Sequence, residues 1–125
     1  MSVLIVDDEY YIRDVLIAIL LDAGYDATGA PNGRDAVDCL HQHPGRFRLI
    51  LLDVMMPYMT GWELLATIRD DPSLATLPVI LMTAAENVHQ QATERGATDY
   101  LPKPIDVDEL LDIVEYYYVD DQREA

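Results

Sequence analysis

The stretch Leu49-Ile50-Leu51-Leu52-Asp53 sets four consecutive apolar residues directly before an acid. The run lacks the alternation of apolar and polar residues that marks a half-exposed strand, so it predicts a strand covered on both faces. Residues 3–6 and 79–82 have the same character. Together the three runs predict the buried strands of one parallel sheet.

Helical patterns separate these strands and two weaker ones, at residues 26–30 and 98–101. The apolar positions that recur at helical spacing fall in five segments: Ile12, Val15, Leu16, Ile19 and Leu20; Ala36, Val37 and Leu40; Leu64, Leu65 and Ile68; Ala85, Val88 and Ala92; and Val107, Leu110, Leu111 and Val114. Asn32 is placed to open the second helix. The alternation predicts a doubly wound α/β fold with five parallel strands, five helices and right-handed crossovers.

Helix-stopping residues support the same division of the chain. Gly24, Gly96 and the Asp71-Pro72 pair stand where the first, fourth and third helices should end. With 125 residues, half of them apolar, the chain suits one compact domain. We expect that domain over residues 1–119 and a polar, frayed tail over residues 120–125.

Charge and cysteine content limit the classes of partner. The formal net charge is −15, with eight Lys and Arg against 23 Asp and Glu, so direct nucleic-acid binding is not expected. The longest apolar run, residues 15–21, is too short to cross a bilayer. Cys39 is the only cysteine, is expected to be a small buried hydrophobe, and fits a reducing compartment. A cytoplasmic protein without a membrane partner is therefore expected.

Polar residues follow four of the predicted strands, at the edge where parallel α/β sheets place their sites. They are Asp7, Asp8 and Glu9 after the first strand, Asp53 after the third, Thr83 after the fourth and Lys103 after the fifth. Like charges on neighbouring carboxylates raise one another's pKa unless a cation neutralises them. Oxygen ligands alone favour a hard cation, and Mg²⁺ is the expected metal. Asp8 has a second interpretation, as the N-cap of the first helix.

Lys103 is the only lysine and lies between Pro102 and Pro104. At the sheet edge its ammonium group would pair with the Asp53 carboxylate. After transfer of a phosphoryl group to Asp53, it would pair with a phosphoryl oxygen instead. A solubilising surface lysine is the competing interpretation. Thr83 would offer a hydroxyl to a second phosphoryl oxygen, although a local bond to the backbone is an equally ordinary use of a strand-end threonine.

These motifs, taken together, closely resemble the receiver domains of bacterial response regulators. The residues that carry the resemblance are Asp7-Asp8-Glu9, residues 53–61 from Asp53 to Gly61, Thr83-Ala84, and Tyr100-Leu101-Pro102-Lys103-Pro104. The resemblance implies the flavodoxin-like strand order 2-1-3-4-5. It also implies that a phosphohistidine of a sensor histidine kinase or histidine phosphotransfer protein donates a phosphoryl group to Asp53.

The resemblance assigns the remaining site residues. Asp8, Asp53 and the backbone carbonyl of Met55 would bind Mg²⁺, and Asp7 would help directly or through a water. Thr83 and Lys103 would hold phosphoryl oxygens, and the Lys103-Pro104 peptide would be cis. Met55 and Ala85 occupy positions that tune the lifetime of the phosphoryl group.

The implied output is a conformational switch rather than an enzyme with an external substrate. Tyr100 resembles the family's switch aromatic, which turns inward when Thr83 moves; an ordinary half-buried strand tyrosine is the competing interpretation. The expected partner surface comprises the fourth helix, the fifth strand and the fifth helix, with Tyr100, Ile113 and Tyr116 in it. A downstream protein target, a homodimer formed on phosphorylation, and self-promoted dephosphorylation complete the expectation.

Three other functions compete with this interpretation. A phosphorylation-independent binding module would keep the fold but would not need Asp53 and Lys103 together. An aspartyl phosphatase would usually carry a second acid where Met55 stands. A flavin-binding protein of this fold would carry an anion-accepting loop after the first strand, where the acidic residues 7–9 stand instead.

Overall fold

The computed structural model describes residues 1–84 and 88–123, in which five strands alternate with five helices. The strands are β1 (Ser2–Val6), β2 (Asp26–Ala30), β3 (Phe47–Asp53), β4 (Val79–Thr83) and β5 (Asp99–Pro102). The helices are α1 (Tyr10–Asp22), α2 (Gly33–Gln42), α3 (Gly61–Asp70), α4 (Val88–Glu94) and α5 (Val107–Arg123). Each predicted strand and helix is present.

The five strands form one parallel sheet in the order β2-β1-β3-β4-β5, which confirms the expected topology. β1 and β4 are buried at every residue, as the unbroken apolar runs predicted. In the sheet register, Val6 pairs with Leu52 and Asp53 pairs with Met82. The ends of β1, β3 and β4 therefore lie side by side at one edge.

Alternate residues of the strands point to opposite faces of the sheet and build two cores. One face buries Leu4, Ile50 and Leu81 under α2, α3 and α4. The other buries Ile5 and Leu51 under α1 and α5. This layering explains why the central strands are apolar at every position.

Local hydrogen bonds fix the helix ends. The Asn32 side chain accepts a bond from the backbone N–H of Asp35 at 2.8 Å, which confirms it as the N-cap of α2. Thr60 and Glu63 form a reciprocal capping box at the start of α3. Gly24 and Gly96 both have φ of +95°, a conformation that other residues rarely adopt.

Four predictions of side-chain placement are wrong. Glu9, not Asp8, is the N-cap of α1, because the chain bends at the exposed Asp8 and the helix begins only at Tyr10. Val15 and Val107 are 55% and 45% exposed, since Val15 lies beside the stripe of α1 that faces the sheet and Val107 begins α5. Cys39 is only partly buried, at the margin of the core under α2.

The C-terminal helix is longer than predicted. α5 runs to Arg123 and so includes residue 120, where the frayed tail was expected to begin. Residues 124–125 lie outside the described residues, as does Ala85, which was predicted to begin α4 and to tune the phosphoryl lifetime. Within the described ranges, no helix has the length and apolar character needed to cross a bilayer.

Candidate functional site

Three carboxylates meet where β1 and β3 end. Asp7, Asp8 and Asp53 each place a carboxylate oxygen within 4.8 Å of the others. Asp7 is fully buried and Asp53 is 4% exposed, whereas Asp8 faces solvent. The sequence placed all three at this edge, and the structure brings them into one cluster that is open on the Asp8 side.

Lys103 reaches the same cluster from β5. Its Nζ lies 3.4 Å from Asp7 Oδ2 and 3.3 Å from Asp53 Oδ1, and its side chain is 19% exposed. The Lys103 backbone N–H donates to the Thr83 carbonyl at 2.8 Å, and the Lys103-Pro104 peptide is cis as expected. Lys103 is therefore an ion-pairing residue of the site, and its interpretation as a solubilising surface lysine is wrong.

Burial and charge shift the pKa values of the two central groups. Burial, together with the nearby charge of Asp7, raises the pKa of Asp53 from 3.8 to about 6, against the opposing effect of Lys103. Burial lowers the pKa of Lys103, but Asp53 and Asp7 outweigh it and hold that pKa above its ordinary value. The cluster thus has an excess of negative charge that one lysine does not neutralise.

The loop after β3 holds Asp53 in place. The Met55 backbone N–H donates to Asp53 Oδ1 at 3.3 Å, and the Gly61 N–H donates to the Val54 carbonyl at 2.9 Å. A Cβ on Gly61 would lie 2.7 Å from Val54 Cα and would collide with the Asp53 carbonyl oxygen. Gly61 is therefore required for the start of α3 to approach Asp53.

Thr83 ends β4 beside the acid cluster. The residue is 2% exposed, and the preceding Met82 pairs with Asp53 across the sheet. The Met82 carbonyl also accepts a hydrogen bond from the Val54 N–H at 3.2 Å. This register places Thr83 next to Asp53, while metal binding by the Met55 carbonyl stays a prediction.

Arg13 is a site neighbour that sequence reasoning missed. Its Nη1 donates to the Asp7 carbonyl at 2.7 Å, while Asp7 Oδ1 accepts the Glu9 N–H at 3.0 Å. The only sequence signal was its spacing, one helical turn after residue 9, and that spacing does not show which way the side chain points.

The three residues of the predicted partner surface differ in exposure. Tyr100 is half-buried against the core under α2, α3 and α4. Ile113 is half-buried against the opposite core. Tyr116 is 60% exposed, and its ring contacts Tyr117 edge to face at 4.9 Å. A shared patch containing all three stays a prediction.

The fold and this site together define a flavodoxin-like α/β protein whose strand ends hold three carboxylates beside one lysine. Comparison with known sequences makes the class specific: the family described as "Response regulator receiver domain" matches residues 3–115. The chain belongs to the response regulator receiver family of two-component signalling.

Relatives of two lengths share the domain. An uncharacterized 14.6 kDa protein encoded in the sodA1 3′ region of Leptolyngbya boryana is 40% identical over 94% of this chain and 89% of its own. Transcriptional regulatory protein PcoR of Escherichia coli is 39% identical over 87% of this chain but only 47% of its own length. This chain therefore corresponds to about half of PcoR.

Solved structures agree in fold. Chemotaxis protein CheY4 of Vibrio cholerae is 33% identical, covers 93% of this chain and 97% of its own, and superposes with a TM-score of 0.84. The receiver domain of the Francisella response regulator 1452 is 30% identical over 96% of this chain and 98% of its own, with a TM-score of 0.87. Both similarities cover more than nine-tenths of this chain.

Proposed function

We propose that this receiver domain is a phosphorylation-activated switch that accepts a phosphoryl group from a phosphohistidine onto Asp53. One observation carries the proposal: Lys103 Nζ lies 3.3 Å from Asp53 Oδ1 inside a cluster of three carboxylates. An ammonium group in that position already pairs with the acceptor oxygen and can pair with an incoming phosphoryl oxygen. Asp53 is thus both the most perturbed acid of the cluster and the one best placed to be modified.

The transfer itself is an in-line displacement. A carboxylate oxygen of Asp53 forms a bond to phosphorus as the bond from phosphorus to the donor imidazole nitrogen breaks, and that bonding pair returns to the imidazole. Lys103 and Thr83 would each hold a phosphoryl oxygen, so that this chain contributes mainly positioning and electrostatic stabilisation. Hydrolysis of the acyl phosphate would return the carboxylate and release phosphate.

The donor set fits a divalent cation. Asp8, Asp53 and the Met55 carbonyl would hold Mg²⁺, with Asp7 acting directly or through water. Three carboxylates with oxygens within 4.8 Å of one another face a single lysine, and a cation bound there would offset their remaining negative charge. When bound, Mg²⁺ would offset charge on the phosphoryl oxygens during transfer.

An apolar groove gives the phosphodonor protein a place to dock. The groove has a volume of about 360 Å³, runs between α1 and the start of α5, and is lined by Tyr11, Ile12, Val15, Leu16, Ile19, Lys103, Pro104, Ile105 and Val107. The exposure of Val15 and Val107, unexpected from the helical pattern, belongs to this groove. Because Lys103 lines the groove and also contacts Asp53, a helix of a sensor kinase or phosphotransfer protein seated here would present its histidine next to the acceptor.

The proposed output surface comprises α4, β5 and α5. Movement of Thr83 toward the phosphoryl group would let Tyr100 turn inward and would change the surface of α4, β5 and α5, including Tyr116. A downstream protein, or a second copy of the domain, would read that change in the cytoplasm. To invert the populations almost completely, phosphorylation must favour one state by about 5 kcal/mol.

Direct phosphorylation tests the proposal. The protein is incubated with Mg²⁺ and acetyl phosphate, and intact mass spectrometry follows addition of one phosphoryl group; beryllofluoride is titrated in parallel. Trp62 fluorescence reports on α3 and α4, because the Arg95 guanidinium stacks 4.6 Å from the centre of its ring. We expect Asp53→Asn to abolish both signals and Asp14→Asn, at an exposed acid of α1, to leave them intact.

A failed reaction would select the alternative. If neither acetyl phosphate nor a panel of phosphorylated histidine kinases modifies Asp53, and beryllofluoride leaves Trp62 unchanged, the chain is a phosphorylation-independent binding module on the receiver fold.

A further inference from the structure

The Asp7 carbonyl leaves the sheet just where the acid cluster begins. The Asp7 N–H still donates to the Ala30 carbonyl of β2 at 3.2 Å, but β1 ends one residue earlier, at Val6. A buried carbonyl outside the ladder needs another donor. Arg13 supplies it, with Nη1 at 2.7 Å from the oxygen.

Gly29 provides the space through which Arg13 reaches that carbonyl. Gly29 of β2 pairs with Ile5 of β1. It lies against the middle of the Arg13 side chain, at Cγ and Cδ. A Cβ at this position would lie 2.8 Å from Arg13 Cδ and 2.9 Å from Arg13 Cγ, closer than real Cβ atoms approach. Any larger residue at 29 would therefore push Arg13 away from its acceptor.

Both oxygens of the Asp7 carboxylate are already engaged at the site. Oδ1 accepts the Glu9 N–H at 3.0 Å, and Oδ2 lies 3.4 Å from Lys103 Nζ. Because Arg13 also donates a hydrogen bond to the Asp7 carbonyl, both the main chain and the side chain of Asp7 are held by polar contacts. The position of the next residue, Asp8, follows from that of Asp7, because the two share a peptide bond.

We propose that Arg13, seated over Gly29, is a positioning residue for the divalent-cation site. It holds the turn from Asp7 to Asp8 in the conformation that directs these carboxylates at Asp53, and it contacts neither the cation nor the phosphoryl group. The inference rests on the proposed binding of Mg²⁺ at this cluster. Partners that orient metal ligands typically contribute about 10- to 100-fold to metal affinity.

Positioning and simple electrostatics predict opposite signs, which makes the proposal testable. If Arg13 acted only as a nearby positive charge, removing it would strengthen Mg²⁺ binding by this acidic site. If Arg13 positions the ligands, removing its donor weakens binding although the protein becomes more negative. Arg13→Met separates the two, because methionine keeps the apolar packing over Gly29 and loses both charge and donor.

The experiment measures the Mg²⁺ dissociation constant by titration calorimetry with MgCl2 alone, on protein confirmed as folded by circular dichroism. We expect Arg13→Met to weaken binding about 10-fold, the lower end for an outer-shell partner. Arg13→Lys keeps a donor and should recover most of the affinity. The matched control is Arg34→Met, at an exposed arginine of α2, which should not weaken binding.

Gly29→Ala tests the same contact from the other side. It should weaken Mg²⁺ binding when Arg13 is present and have little further effect in the Arg13→Ala background, where the two nearest atoms it displaces, Arg13 Cδ and Cγ, are gone and only Ile17 Cδ1 at 3.1 Å remains. If Arg13→Met does not fold, the Gly29→Ala comparison and the Arg13→Lys variant test the positioning role of Arg13.

Unchanged or tighter Mg²⁺ binding in Arg13→Met, or a Gly29→Ala effect that persists without the Arg13 side chain, would overturn the proposal. Failure of the wild-type protein to bind Mg²⁺ would refute the proposed metal site itself. That outcome is distinguishable because it appears before any variant is compared.

Discussion

Replacement of Asp53 by asparagine should stabilise the folded protein at neutral pH. Asp53 is buried beside the Asp7 carboxylate, and these surroundings raise its pKa from 3.8 to about 6. An acid whose pKa is raised by folding is held ionised in the folded state at a cost in stability. Asparagine has nearly the same shape and no charge to desolvate.

The magnitude follows from the pKa shift. A shift from 3.8 to about 6 is about two units, and each unit corresponds to about 1.4 kcal/mol, so the cost approaches about 3 kcal/mol. The value of about 6 already includes the opposing attraction between Asp53 and Lys103. We therefore expect a net gain of up to about 3 kcal/mol in the free energy of unfolding near pH 7.5.

The pH dependence has a definite sign. Below pH 3.8 the carboxyl is protonated in both states and costs nothing. Between 3.8 and about 6 the folded state retains the proton that the unfolded state releases, so wild-type stability falls relative to the variant as pH rises. Above about pH 6 the difference is constant. The advantage of Asp53→Asn should grow across this window and then level off.

Urea unfolding followed by circular dichroism, at pH values from 4 to 8 with EDTA present, measures the difference directly. Asp14→Asn, at an exposed acid of α1, is the matched control and should show no comparable gain. Added MgCl2 should shrink the advantage, because a bound cation stabilises the wild-type carboxylates. A variant that is less stable than wild type at pH 7.5, or a difference that does not change with pH, would refute the electrostatic reasoning.

The other predictions concern charge, strain and loop anchoring. Lys103→Met should raise the pKa of Asp53 above 6, as measured by NMR titration of the carboxyl carbon. The same variant should react much more slowly with acetyl phosphate. Lys103→Arg should not restore the rate, because a guanidinium group has a different geometry from an ammonium group. Tyr58→Gly should stabilise the protein by about 1 kcal/mol in urea unfolding, because Tyr58 is fully exposed and has φ of +70°; a loss of stability would contradict this. Arg69→Met should lower the free energy of unfolding by about 3 kcal/mol in the same assay, because the Arg69 guanidinium donates to three backbone carbonyls in the loops before β4 and β5. Its Mg²⁺ affinity should stay near that of the wild type.

Much of the architecture was predictable because each signal is local. Four apolar residues before Asp53 indicate a strand buried on both faces wherever they occur. Asn32 was recognisable as an N-cap because capping needs only residues within one turn. The N-cap of α1 lies at Glu9 rather than Asp8 through an equally local bond, from the Glu9 N–H to Asp7 Oδ1. The sequence does not show which of three adjacent acids accepts such a bond.

The shared position of Asp53, Thr83 and Lys103 at one edge of a parallel sheet was predictable from the sequence, because the carboxyl ends of parallel strands must lie together. An acidic cluster with a single lysine was equally predictable, since the chain has no other lysine. The environment of that cluster is a property of the folded chain: the burial that raises the pKa of Asp53, the apolar groove beside Lys103, and the path of Arg13 over Gly29. Those features depend on distances between residues far apart in the chain, which helical and strand periodicity do not specify.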